Sequence, residues 1–297
     1  MINNKTISLG ILSWKSPKTL EKTLTSYEKQ NLFSLFDENI IYFNQISEND
    51  KKIAKKFNLQ YYGNKENLGF LGGMENLAKS MKCEYLLMLQ NDCPIVEDFK
   101  EAEKQITEAI QILEDNKINI MRLRHRFKVG EGFNDVENYL KYYPAVKIDK
   151  NFIEEEYSIL QKNFKNNFKK NILRILRPFK KKQVIGRSIY IEESPDLLFP
   201  KYIKKYKDIF IVDSAVINFT EQSFLVKKDF LMYLINYIKK HPKKRTLNGF
   251  QVPEIILNCF WWRHQHFKIG VGKGLFTHNR FDGSFRKNHI AYDESSV

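Results

Sequence analysis

Residues 85–92 read Tyr85-Leu86-Leu87-Met88-Leu89-Gln90-Asn91-Asp92, an apolar run that passes without a break into three polar side chains and then into Cys93-Pro94. A short run with no polar alternation is what a strand looks like when helices cover both faces of its sheet. In open sheets of that kind, ligands bind beyond the carboxyl ends of the strands. Asp92 sits at that end. Asp two positions ahead of Pro94 is also ordinary turn chemistry, so position alone leaves both readings open. A carboxylate there has the chemistry to hold a hard divalent cation that bridges phosphates.

The segments upstream of residue 85 alternate strand and helix signals, which predicts an α/β domain with a mostly parallel sheet. Thr6 to Ser13 reads as a strand, and Ser16-Pro17 as a helix start with Leu20, Leu24 and Tyr27 on one face. Asn39 to Phe43 reads as a second strand. Ser47 with Asp50 resembles a capping box ahead of Ile53, Ala54 and Phe57. Leu59 to Tyr62 is a short strand, and Met74, Leu77, Ala78 and Met81 mark a helix after a Gly-rich stretch. Downstream, a helix is expected from Phe99 to Leu113 and a strand near Ile118 to Leu123. Residues 130–205 look irregular, aromatic and basic. A strand from Ile209 to Phe219 and helices near 228–240 and 252–262 complete the pattern.

The chain has 297 residues, 42% of them hydrophobic, with 8 Pro and 13 Gly, which excludes collagen-like, disordered and disulfide-scaffold classes. Cys83, Cys93 and Cys259 form no CxxC pair, so a reducing, cytoplasmic setting is expected and a structural zinc cluster is not. No window is apolar enough for a membrane span. The net charge of +14 is regional: the first hundred residues hold thirteen basic and twelve acidic side chains, whereas 162–187 holds ten cations and no acid. Phe164, Phe168, Ile172, Ile175, Leu176 and Phe179 recur there at helical spacing. That describes a basic amphipathic helix, either packed on the core or lying at the inner face of a membrane.

Four segments together carry a family resemblance. Ile11-Leu12-Ser13-Trp14-Lys15-Ser16 with Leu20, Leu24, Ser26 and Gln30 comes first, then Asn67-Leu68-Gly69-Phe70 with Gly72, Gly73 and Asn76, then the run into Asp92. In order and spacing over about the first hundred residues, these resemble the GT-A glycosyltransferases of the large inverting family 2 type. Further along, residues 218–228 are similar to that family's acceptor-side segment, which ends in a basic residue before a helix. The resemblance implies a GT-A, Rossmann-like sheet flanked by helices. Residues 1–125 would form the nucleotide-sugar donor-binding part, and 126–297 the acceptor-binding and catalytic-base part. It implies Ser13, Trp14, Asn44, Asn67, Gly69, Gly72, Gln90, Asn91 and Asp92 at the donor site. It also implies Mn2+ or Mg2+ held by Asp92 and His278, the His in Gly274-Leu275-Phe276-Thr277-His278. Glu254, in Pro253-Glu254-Ile255, stands in the place of the catalytic base, with Asp213 as its rival. Pro followed by Glu is equally ordinary helix-start chemistry.

Two residues depart from the family pattern. Asn44 stands where the second strand usually carries Asp, and Gln90 stands where an acidic residue often opens the metal motif. The expected activity is transfer of a sugar from a nucleotide diphosphate sugar, UDP-linked, to a hydroxyl of a glycan or lipid-linked acceptor, in polysaccharide biosynthesis. Tyr142, Tyr143, Tyr190, Phe199 and Tyr202 are expected to shape the acceptor site, and Phe260-Trp261-Trp262 to belong to the core. Two other readings are an inactive nucleotide-sugar-binding relative and a basic nucleic-acid-binding protein. The cations avoid the ordered N-terminal part and no nucleic-acid motif occurs, so no nucleic-acid partner is expected.

Overall fold

The computed structural model describes residues 5–131, 135–143, 147–151, 178–243, 246–247 and 249–282. Of the basic segment 162–187, only 178–187 falls within them. In chain order the elements are β1 (Ile7–Ser13), α1 (Pro17–Lys29), β2 (Glu38–Asn44), α2 (Glu48–Lys56), β3 (Gln60–Asn64), α3 (Gly69–Ser80), β4 (Tyr85–Gln90), α4 (Phe99–Glu114) and β5 (Ile120–Arg124). There follow α5 (Asp135–Leu140), α6 (Pro178–Gln183), α7 (Pro195–Leu198), β6 (Ile203–Tyr206), β7 (Ile209–Asp213) and β8 (Phe224–Lys227). The described chain closes with α8 (Lys228–Lys240), α9 (Pro253–Leu257), α10 (Phe260–His264) and β9 (Lys268–Phe276).

The nine strands of the described residues join one sheet in the order β3-β2-β1-β4-β8-β5-β9-β7-β6. The first four strands are parallel, as the βαβ rhythm predicts. β8 then inserts antiparallel between β4 and β5, and β9 pairs parallel with β5 and antiparallel with β7. The sheet is therefore α/β and mixed, parallel in its N-terminal half. It also runs unbroken across residue 125, so the donor-side and acceptor-side parts share one sheet.

The apolar strands divide their residues by parity. Ile7, Leu9 and Ile11 of β1 and Tyr85, Leu87 and Leu89 of β4 pack into one core with Leu20, Leu24, Ile53, Ile106 and Ile110. Leu86 and Met88 of β4 face the other way, into a second core with Met74, Leu77, Leu234 and Ile238. Alternation by two along a pleat covered by helices on both faces explains why no polar residue interrupts the run. Each fully buried Leu or Ile contributes about 1.5–3 kcal/mol by leaving water.

Local signals hold where the stabilising partner is local. Ser47 Oγ accepts from the Asp50 N–H at 3.3 Å, and Asp50 Oδ2 accepts from the Ser47 N–H at 2.8 Å, a complete capping box. Two boundaries differ from expectation. The strand from 209 stops at Asp213, whose Oδ1 accepts the Ala215 N–H at 2.8 Å and turns the chain. The helix expected over 252–262 is broken between α9 and α10, because the Asn258 side chain grips Phe219 through both its N–H (2.6 Å) and its C=O (3.0 Å). The three aromatics after the break also part company. Trp262 is fully buried and Trp261 stacks on Tyr237 at 3.6 Å, but Phe260 is 75% exposed. No helix among the described residues is long and apolar enough to cross a membrane.

Candidate active site

A cleft of about 440 Å3 opens at the carboxyl ends of β1, β2 and β4. Ser13, Trp14, Asn44, Asn67, Gly69, Gln90, Asn91 and Asp92 all line it, although the chain separates the first from the last by 79 positions. Parallel strands deliver them together: the register sets Leu12 beside Gln90 and Ser13 beside Phe43, so the three strand ends finish level. Gly72 does not line the cleft; it lies against Leu68, where a Cβ would crowd that side chain.

Asn44 shows why the Asp usual at this place can be absent. Its Nδ2 donates to Asn67 Oδ1 (2.8 Å) and to the Gly69 carbonyl (3.0 Å), and its Oδ1 accepts the Leu68 N–H (2.8 Å). An aspartate would have no hydrogens for the first two contacts. The bonds pin the turn into α3, where Gly69 has φ +70 and lies under the Phe250 ring, so a Cβ would strike that ring. Gly69 and Phe70 thus present the first turn of a 12-residue helix to the cleft, the positive end of its dipole.

Two buried polar atoms on this wall have no hydrogen-bond partner, Ser13 Oγ and Asn91 Nδ2. Both side chains line the cleft and are at most 5% exposed. Buried polar groups are nearly always satisfied, so a vacant donor and a vacant hydroxyl on one cleft wall are what a bound polar ligand would complete.

Asp92, 2% exposed, faces His278, with Nε2 3.2 Å from Oδ2. His278 Nδ1 lies 2.9 Å from the Glu131 carbonyl oxygen, which can only accept, so Nδ1 carries a proton. In the neutral ring, Nε2 then aims a lone pair at a carboxylate. A second ring proton or a cation between them satisfies the contact. Burial would raise the Asp92 carboxyl, but the His278 hydrogen bond and charge, with Arg280 behind them, outweigh it and hold it below the ordinary range. An imidazole nitrogen beside a carboxylate oxygen suits Mn2+, and the carboxylate alone suits Mg2+. No cluster of three or more His, Cys, Asp or Glu occurs among the described residues, so such an ion would take its remaining ligands from a diphosphate and water.

Asp213 is not in the cleft. It ends β7, with Lys268 Nζ 2.6 Å and His266 Nδ1 3.0 Å from its carboxylate. Burial would raise its carboxyl, but Lys268, the Ala215 N–H and His266 outweigh that and lower it. These contacts make it an anchor for the β7–β9 edge.

Glu254 does not line the cleft; it lines a second cavity and is held against Glu221, a residue that no sequence pattern singled out. Glu221 lines the cleft, and the two glutamates clasp each other: the Glu221 N–H donates to Glu254 Oε1 and the Glu254 N–H to Glu221 Oε1, both at 3.0 Å. Burial, and then the Glu254 charge, push the Glu221 carboxyl up to about 8. Thr220 and Gln222, on either side of Glu221, line that second cavity, which Glu254 also lines. The glutamate pair is therefore a wall between two cavities. Of the aromatics expected at an acceptor site, Tyr190 lines the second cavity, while Tyr143 packs against Tyr139 and Phe199. No sequence signal set Glu221 apart, because its partner lies 33 residues away.

No family model and no curated protein matches the chain. Among solved structures it is similar to S. aureus TarS 1-349, at 12% identity over 92% of this chain and 60% of that one, with a TM-score of 0.45. It is also similar to the mannosyltransferase PcManGT from Pyrobaculum calidifontis in complex with GDP-Man and Mn2+, at 10% identity over 46% of this chain and 40% of that one, with a TM-score of 0.35. A third is glucosyl-3-phosphoglycerate synthase from Mycobacterium tuberculosis in complex with Mn2+ and UDP-glucose, at 12% identity over 40% of this chain and 43% of that one, with a TM-score of 0.33. The chain spans less than two thirds of the length of each of these structures.

Proposed function

We propose that the chain transfers a sugar from a nucleotide diphosphate sugar, UDP-linked, to an acceptor hydroxyl of a glycan or lipid-linked molecule, with inversion at the anomeric carbon. The observation that carries this reading is the cleft itself. Nucleotide-binding residue types from three strand ends, two unsatisfied polar groups and a carboxylate–imidazole pair converge there, and a carboxylate wall separates them from a second cavity.

In this reading Trp14 and the unsatisfied groups of Ser13 and Asn91 take the nucleoside, and the pinned Asn67–Gly69 turn borders the diphosphate. Asp92 and His278 would hold Mn2+ or Mg2+, which when bound neutralises charge on the leaving diphosphate. Arg280, also on the cleft wall, adds a fixed positive charge near the same end. Glu254 accepts the proton of the attacking hydroxyl from the acceptor side, opposite the departing diphosphate, as a direct inverting displacement requires. Glu221, with its carboxyl raised to about 8, stays protonated at neutral pH. It therefore donates a hydrogen bond toward the cleft without repelling Glu254.

Asn44 and Gln90 fit an active site as well as a relic, since Asn44 performs a structural task that aspartate could not. The test is a melting-temperature screen of nucleoside diphosphates with and without Mn2+, followed by turnover of the matching sugar nucleotide. Stabilisation by one nucleotide, lost in Asp92→Ala, supports the donor site. Glu254→Gln should then bind nucleotide normally and transfer no sugar; full retained activity would remove Glu254 as the base.

A further inference from the structure

The second cavity, of about 250 Å3, is lined by three guanidinium groups, those of Arg122, Arg124 and Arg187. Arg122 rises from β5 and is only 5% exposed. Among the described residues its partners are the Tyr190 hydroxyl, 3.4 Å from Nη1, and the Asn218 carbonyl, and both are neutral. A buried guanidinium is normally paired with an opposite charge, because desolvating it without one is costly. Arg187 does meet a carboxylate, with Nε 3.0 Å from Asp135 Oδ1. Its charge also reaches Arg263: burial first, and then Arg187, push that guanidinium below its ordinary value. Three arginines against the carboxylates of Asp135 and Glu254 leave the lining cationic.

We infer that this cavity binds an oxyanion, phosphate or carboxylate, carried by the acceptor, and that Arg122 and Arg187 hold it so that the neighbouring hydroxyl reaches Glu254. The inference rests on the glycosyl-transfer reading for the word acceptor; the anion site itself rests only on the arginines and the cavity. Electrostatics separates the two substrates. In the strand-end cleft Asp92 is offset by Arg280 and Glu221 is protonated, so its charges nearly cancel, whereas the arginine cavity keeps an excess of positive charge that takes an anion directly. Planar guanidinium groups match the paired oxygens of phosphate and carboxylate, and a neutral sugar would leave Arg122 uncompensated.

The test is calorimetric titration of the full chain with glucose 6-phosphate, glucuronate and glucose, each with and without UDP and Mn2+. The two anionic sugars should bind at least ten-fold more tightly than glucose, and the stronger of them names the anion as phosphate or carboxylate. Arg187→Gln, on the more exposed side chain, should weaken the anionic sugars about ten-fold, the size of one charge-assisted hydrogen bond, and leave UDP binding unchanged. Arg122→Met should do the same; Arg187→Gln carries the test if that buried substitution fails to fold. Equal affinity for glucose and both anions, or unchanged affinity in Arg187→Gln, overturns the inference. Anion binding that survives while UDP fails to bind keeps the anion site and overturns the donor reading instead.

Discussion

Glu221→Gln separates the proposed division of labour from a merely structural carboxyl. The Glu221 carboxyl is raised from 4.5 to about 8 in the folded chain, by burial first and by the Glu254 charge second. Between those values the folded state holds a proton that the unfolded state has released, so stability falls as pH rises from about 4.5 toward 8. At pH 7 the interval is about 2.5 units, and at about 1.4 kcal/mol per unit the cost is about 3 kcal/mol. Glu221 faces an open cleft where water screens part of this, and about 2 kcal/mol is the expected size. Glutamine keeps the carbonyl that accepts the Glu254 N–H and a hydrogen-bond donor, and it never ionises. The variant should therefore melt about 4 °C above the parent at pH 7, at about 2 °C per kcal/mol for a chain of this size. The gain should shrink to a few tenths of a kcal/mol at pH 4.5, where the unfolded carboxyl is half protonated, and vanish below about pH 4 as both states of the parent carry the proton. Calorimetric melting of both proteins from pH 4.5 to 8.5 reads the difference directly. A gap that does not change with pH, or a variant less stable at pH 7, would refute the reasoning.

The same variant should flatten the alkaline limb of the pH–rate profile: parent activity falls above about pH 8 as Glu221 ionises, and Glu221→Gln activity does not. Asn44→Asp sets a carboxylate against Asn67 Oδ1 and the Gly69 carbonyl, at a cost of about 2–4 kcal/mol by denaturant unfolding, with weakened nucleotide binding. Gly69→Ala should weaken nucleotide binding more than Gly72→Ala in the same titration, because only Gly69 combines φ +70 with the Phe250 ring against the cleft. His278→Ala should abolish any Mn2+-dependent increase in nucleotide affinity while the Mn2+-free affinity stays within about three-fold, since it removes one of the two proposed protein ligands. Asp282→Ala should destabilise the chain by about 1 kcal/mol, the worth of a helix cap, because Asp282 accepts the Lys18 and Thr19 N–H groups at the start of α1.

The sequence by itself determined what short-range patterns encode. The apolar run of β4, the period-two split of its residues between two cores, the capping box at Ser47 and the strand-end placement of Ser13, Asn44 and Asp92 all follow from residues within one element of each other. Only the tertiary structure decided what depends on partners distant in the chain. The Ser16 side chain makes no cap for α1, and Asp282, 264 and 263 positions beyond the residues it holds, does so instead. Asp213, the rival base, lies outside the cleft lining and beside Lys268 because β7 pairs with β9. Glu221 entered the site because a fold-back placed its backbone and carboxyl against those of Glu254. A carboxylate's role is set by the charges and dielectric around it, and those are supplied by whichever segments pack there. Spacing along a chain fixes which face of a strand or helix a residue occupies, but its electrostatic neighbours exist only once the chain has closed on itself.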